Sequence, residues 1–174
     1  RTVREGWDAA NLRRGTVSVA KEAVDRSAGV AEVVQDLGTA AKDRGLELDF
    51  TKDAGAYEIL GDKDKIQRHV VRNLIDNSVK YTLKGSIHVH LVRTPHTYRL
   101  TIKDTGVGIT PEDMKKLFTE GGKGAESLKI NVHSTGYGLY IAKMIVEGHG
   151  GTIRAVSAGK DKGSEFIIEL PQKS

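Results

Sequence analysis

Cysteine is missing from all 174 residues. No disulfide, thiolate metal site or cysteine nucleophile can therefore belong to this chain, and the absence fits a reducing compartment. Aromatic residues make up 5% of the sequence, too few for the stacking platforms on which single-stranded nucleic acids are read. No apolar run approaches the roughly 18 residues that a membrane-spanning helix needs, and no signal-peptide pattern opens the chain. The formal charge is +4, but basic and acidic residues are interspersed without a dense Lys/Arg block, so neither nucleic acid nor direct membrane contact is expected. What is present is ordinary: 38% hydrophobic and 29% charged residues, in a length that fits one domain with its own core. With three prolines against 20 glycines, glycine carries most of the punctuation.

The opening "RTVREGWDAANLRRG" reads as the end of a helix closed by Gly15, and "VSVAKEAVD" as extended. Val30, Val34, Leu37 and Ala41 recur at helical spacing, predicting a helix from about Arg26 to Arg44 that Gly45 stops. "LELDF" and "YEIL" are short strands, and Asp62 is a candidate N-cap for the next helix. "SIHVHLV" and "YRLTIKD" alternate about the turn "TPHT" and form a hairpin, with Ile87, Val89, Leu91, Tyr98, Leu100 and Ile102 inward. Thr110-Pro111 starts a short helix, a second helix runs from about Gly138 to Glu147, and "TIRAV" and "SEFIIEL" flank the turn "SAGKDKG". This order predicts a two-layer α/β sandwich, with helices on one face of a mixed sheet.

Four segments carry candidate chemistry. In "RNLIDNSVKYT", the residues Val70, Val71, Leu74, Ile75 and Ser78 form an apolar arc, while Asn73 and Asn77 stand roughly 40° apart at its border beside Lys80. Such a border can wall a cleft, or simply bond neighbouring loops. In "DTGVGIT", Asp104 keeps the inward parity of its strand, so it must find donors such as an adenine amino group. Gly106 and Gly108 would let a flat base lie close to the backbone, although a plain turn has the same letters. In "STGYGLYIAK", Gly136 and Gly138 stand at the mouth of a helix, where free N–H groups favour phosphate; an ordinary loop-to-helix junction is the commoner meaning of a lone G-x-G. In "DKGSEFIIELP", Gly163-Ser164 ends a turn before a strand that reads as a plain terminal one.

Taken in order, these segments resemble the catalytic ATP-binding domain of bacterial sensor histidine kinases, in the GHKL or Bergerat-fold superfamily. "NLIDNSVKYT" is similar to that family's asparagine box, "DTGVGI" and "STGYGLYIAK" to its two glycine boxes, and "GSEF" to its final element. "IVEGHGGTIRAVS" resembles the segment after the second box, and the likeness spans roughly residues 30 to 171. The resemblance implies a mostly antiparallel mixed sheet and a mobile ATP lid over residues 119 to 135. It implies Mg²⁺ on the side-chain oxygen of Asn77, with Asn73 and Lys80 near the phosphates of ATP. Tyr81 would line the nucleotide's edge, and Asp104 would read the adenine amine beside Gly106, Gly108 and Ile109. Gly136, Tyr137, Gly138 and Leu139 would hold phosphate through backbone amides, and Leu117, Lys123, Ser134, Thr135 and Ser164 complete the nucleotide-binding set. The lid departs from the pattern: many relatives follow "LF" with a second Phe and an Arg, whereas here "LFTEGGKG" offers Gly121 and Lys123. Lysine supplies charge without a bidentate fork.

Related hydrolases such as DNA gyrase carry Glu where Asn73 stands. An amide cannot take a proton from water or from a serine hydroxyl, whereas a neutral imidazole already presents a lone pair. Asn73 therefore favours transfer to histidine. The family's acceptor pattern, H-E-x-x-x-P, is matched by none of His69, His88, His90, His96, His133 and His149. The expectation is the catalytic part of a longer, cytoplasmic or membrane-anchored kinase. Residues 1–28 would be a linker with the end of a dimerisation helix, and 29–174 the ATP-binding domain. Its partners would be a dimerisation and histidine-phosphotransfer domain and a downstream response regulator. A nucleotide sensor without transfer, or a serine kinase or ATPase of the same superfamily, is the alternative.

Overall fold

The computed structural model describes residues 22–55, 57–119 and 137–172. Strand β1 (Glu22–Asp25) leads directly into helix α1 (Arg26–Asp43). The helix buries Val30, Val33 and Ala41. It stops where Gly45 takes a φ of 75°, with its N–H bonded to the carbonyl of Lys42 at 2.9 Å, a left-handed turn that glycine makes without a steric cost. Strands β2 (Leu46–Lys52) and β3 (Glu58–Gly61) follow.

Asp62 opens the next helical stretch: its carboxylate accepts from the N–H of Lys65 at 3.2 Å and its carbonyl from the N–H of Ile66 at 3.0 Å. The stretch is not one regular helix. A short α2 (Lys63–Lys65) passes into a π-helical segment (Ile66–Val71) and then into α3 (Arg72–Tyr81). Six residues are too few for a pattern of apolar positions to reveal the wider turn, so periodicity alone predicts an unbroken helix. Arg44, just past the end of α1, donates to the carbonyl of Val79 at 2.5 Å and to that of Lys80 at 3.4 Å. It thereby satisfies carbonyls that the end of α3 leaves open.

The hairpin β4 (Gly85–Arg93) and β5 (Thr97–Asp104) forms as expected. After it come α4 (Pro111–Lys115), α5 (Tyr137–Gly148), β6 (Thr152–Val156) and β7 (Ser164–Pro171). Five strands make one sheet in the order β2-β4-β5-β7-β6. The β2–β4 pair is parallel and the other pairs are antiparallel. The "YEIL" strand lies outside this sheet: β3 pairs with β1 in a separate two-stranded ribbon.

Strand alternation decides which face is covered. Ile87, Val89, Leu91, Tyr98, Leu100, Ile102, Phe166, Ile168 and Leu170 turn inward and are buried against Val70, Leu74, Ile75, Ala142 and Ile145 from the helices. The other face carries His88, His90, Arg99, Lys103, Glu165 and Glu169, none of them buried. This is the two-layer sandwich expected from the order of elements, with helices on one face.

Candidate functional site

The register of the sheet builds one end of a cleft. Asp104 is the last residue of β5 and sits opposite Ser164, the first of β7. Its inward parity buries it to 6% exposure. One carboxylate oxygen accepts from the N–H of Gly106 at 2.9 Å and from the N–H of Ser164 at 3.2 Å, and the other from the Ser164 hydroxyl at 3.0 Å. Burial pushes the pKa of Asp104 up, and the hydrogen bonds from Gly106 and Ser164, with Ser78 facing it, offset part of that shift. Ser164 is thus more than the start of a terminal strand; it is half of the carboxylate's support.

The turn after Asp104 is fixed from behind. The N–H of Val107 bonds the carbonyl of Tyr81 at 3.1 Å, and the N–H of Ile109 bonds the Ser157 hydroxyl at 3.0 Å. Ser157 in turn donates to the carbonyl of Gly163 at 2.7 Å, tying the β6–β7 loop to the turn. Gly108 has a φ of 75°, and a Cβ there would run into the carbonyl of Gly159; one on Gly106 would run into the carbonyl of Tyr81. The sequence offers a base lying on the backbone as the reason for these glycines, but the protein's own packing already requires both.

The other end of the cleft belongs to helices. Asn73 and Asn77 lie one turn apart on α3, both half-buried. The side-chain nitrogen of Asn73 donates to the carbonyl of His69 at 2.9 Å and, across to α5, to that of Gly138 at 3.2 Å. Two carbonyls as partners fix the amide's orientation, since its oxygen in that place would face acceptors. Lys80 pairs with Asp76 at 3.1 Å, both about a third exposed. At Gly138 an added Cβ would stand 3.6 Å from the Asn73 nitrogen, an ordinary contact.

Between these ends lies a pocket lined by Asn77, Ser78, Tyr81, Asp104, Val107, Gly108, Ile109, Leu117, Leu139, Ser164 and Phe166. A mostly apolar wall with a few convergent polar groups is what a small planar ligand needs. Leu117 is buried, and the ring of Phe118 meets Phe166 edge-on with centroids 6.2 Å apart, so the "LF" pair closes the apolar side. The structure therefore brings Asn77, Tyr81, Asp104, Gly108, Ile109, Leu117, Leu139 and Ser164 onto one cavity. Asn73 and Gly138 stand at its helical end, joined by their hydrogen bond; Lys80 does not line it and is paired with Asp76; Gly106 bonds the Asp104 carboxylate from outside the lining. Lys123, Ser134, Thr135, Gly136, the side chain of Tyr137 and the expected lid beyond Thr119 lie outside the described residues. Sequence reasoning missed Val107, Phe166 and Ser157, and it took Ser78 only as part of an apolar arc. A hydroxyl among Leu74, Ile75 and Val79 was the available signal for Ser78; nothing in the sequence points to Ser157.

A family model described as "Histidine kinase-, DNA gyrase B-, and HSP90-like ATPase" matches residues 61–174. The sensor protein SrrB of Staphylococcus aureus (strain NCTC 8325 / PS 47) is 35% identical over 176 residues, a span that covers 99% of this chain and 29% of SrrB. The chain thus spans less than a third of the length of the curated relatives it matches. Among solved structures, the mycobacterial sensor histidine kinase MprB superposes with a TM-score of 0.74 at 26% identity, over 88% of this chain and 98% of that one. The catalytic domain of the histidine kinase ThkA gives a TM-score of 0.76 at 21% identity, over 91% and 100% of the two chains, a likeness that speaks for the fold. Since the family model takes in more than half of the sequence, the chain belongs to the histidine kinase-, DNA gyrase B- and HSP90-like ATPase family, as a homologue of the ATP-binding catalytic domains of sensor histidine kinases.

Proposed function

We propose that this chain binds Mg-ATP in the cleft and presents the γ-phosphate to a histidine on a separate dimerisation domain. It would serve as the catalytic part of a two-component sensor kinase whose phosphate passes on to a response regulator. The observation that carries the reading is Asn73: at the helical end of the cleft an amide spends its nitrogen on two carbonyls. Neither its nitrogen nor its oxygen can take a proton from an attacking water. A histidine acceptor needs no such base, and positioning with charge neutralisation suffices.

Asp104 would accept the adenine amine, and the apolar walls would hold the ring. Among the described residues no group of three or more His, Asp or Glu side chains is placed to hold a metal ion. Mg²⁺ favours substrate phosphates and water with few protein ligands; Asn77, half-buried on the pocket wall, would offer its amide oxygen, and the ion would neutralise phosphate charge. Lys80, already close to Asp76, would turn toward the phosphates. In this reading residues 1–28 connect the domain to the rest of the kinase, and residues 119 to 135 form the lid. Pairing of Glu22–Asp25 with Glu58–Gly61 ties the end of that connector to the catalytic domain.

Labelled ATP mixed with this chain and a separate dimerisation domain tests the reading. Acid-labile label on the histidine is the expected result. Tight Mg-ATP binding with no label transferred would make it a nucleotide sensor, and acid-stable label or rapid phosphate release would make it a serine kinase or ATPase.

A further inference from the structure

Ser78 is 3% exposed, lines the cavity next to Asp104, and its hydroxyl makes no hydrogen bond among the described residues. It faces Asp104 closely enough to favour the ionised carboxylate, but Asp104 takes its own hydrogen bonds from Gly106 and Ser164. A buried hydroxyl without a partner costs stability. Its neighbours Leu74, Ile75 and Val79 are buried and apolar, and an alanine would fill the place at no such cost. Thr82 is also buried and unpartnered, but it does not line the cavity.

We propose that the Ser78 hydroxyl donates to a ring nitrogen flanking the amino group of a 6-aminopurine, making Ser78 a second specificity determinant beside Asp104. This rests on the nucleotide-binding reading above. Adenine presents an amino donor between two ring acceptors, N1 and N7. An ionised carboxylate accepts from the amine, and an adjacent hydroxyl supplies the donor that a ring nitrogen needs. Guanine reverses the pattern on the N1 side, with a carbonyl facing the carboxylate and an N1–H meeting the hydroxyl.

Calorimetric titration of wild type and Ser78→Ala with ATP, 1-deaza-ATP and 7-deaza-ATP tests the assignment. Wild type should bind one of the two deaza analogues about three- to tenfold more weakly than ATP, the worth of one neutral hydrogen bond. Ser78→Ala should bind ATP as weakly as wild type binds that analogue, and should no longer tell the two apart. Undiminished discrimination in Ser78→Ala, or a wild type that binds both analogues as well as ATP, overturns the assignment and leaves the nucleotide site standing. A wild type that binds no ATP overturns both.

Discussion

At the sheet end of the cleft a carboxylate is buried: the β5–β7 register sets Asp104 opposite Ser164, and three hydrogen bonds hold it. At the helical end, two half-buried asparagines stand on a helix border, and the nearby lysine is engaged with Asp76. The glycines divide the same way. Gly106 and Gly108 are required by the protein's own backbone, whereas Gly138 has ordinary clearance. One end is preorganised and carries the energetic cost of a buried charge; the other holds Asn73 by two neutral hydrogen bonds and Lys80 by a partly exposed ion pair, and has room for a side chain at Gly138. Specificity should therefore reside in the first, and cation-dependent affinity in the second.

Asp104→Ala should break this division most severely. The carboxylate's bond to an adenine amine is of the charged kind, so its loss should weaken ATP binding about 10- to 100-fold. The preference for ATP over GTP should then shrink to what Ser78 alone supplies, and a variant whose preference is undiminished in calorimetry would move specificity away from this end. Asn77→Ala acts at the other end. It should lower ATP affinity about tenfold in Mg²⁺ and little in EDTA, as expected for one metal ligand out of several. Equal losses with and without the metal would make Asn77 a structural residue only.

Acid separates the ends without mutation. Burial raises the pKa of Asp104, so the folded protein takes up this proton more readily than the unfolded chain does. The group's contribution to stability is therefore fully present in acid, below its unfolded pKa, and is lost as pH rises through the folded value. Nucleotide binding runs the opposite way, because an amino donor needs the ionised carboxylate. ATP affinity should fall with pH over the range in which Asp104 protonates, while inorganic triphosphate, which lacks a base, should not report that titration. Parallel pH profiles for the two ligands would remove Asp104 from base recognition.

The sheet was legible in the sequence because alternation and burial are the same fact seen twice: Tyr98, Leu100, Ile102 and Asp104 share a parity, and all four are buried. The burial of Asp104 was legible for that reason, since a carboxylate continuing an apolar row must find partners. Three things were not. The π-helical turn at Ile66–Val71 shifts the phase of a helix over too few residues to register as a period. The pairing of β3 with β1 rather than with the main sheet depends on contacts distant along the chain. Ser157 binds the turn at Ile109 through a loop that only the folded sheet brings near. The sequence suggests that a base approaches the backbone at Gly106 and Gly108, whereas what the fold brings against both positions is the protein's own backbone.

A pair of alanines tests that distinction with the smallest expected effects. Gly108→Ala must place a side chain at a φ of 75° and against the carbonyl of Gly159. The left-handed backbone alone costs about 1–2 kcal/mol and the collision with the carbonyl adds to it, so the melting temperature should fall by at least roughly 2–8 °C for a domain of this size. Gly138→Ala sits in the first turn of α5 with an ordinary contact to Asn73. Alanine's helix propensity, worth up to about 1 kcal/mol over glycine, should leave its melting temperature unchanged or slightly raised. If a phosphate approaches the backbone there, as proposed, its ATP affinity should nevertheless fall a few-fold, because the methyl group would crowd that approach and the Asn73 amide. Unimpaired ATP binding by Gly138→Ala would remove the phosphate from that turn. A fall in stability there as large as at Gly108 would mean that both ends of the cleft are packed alike.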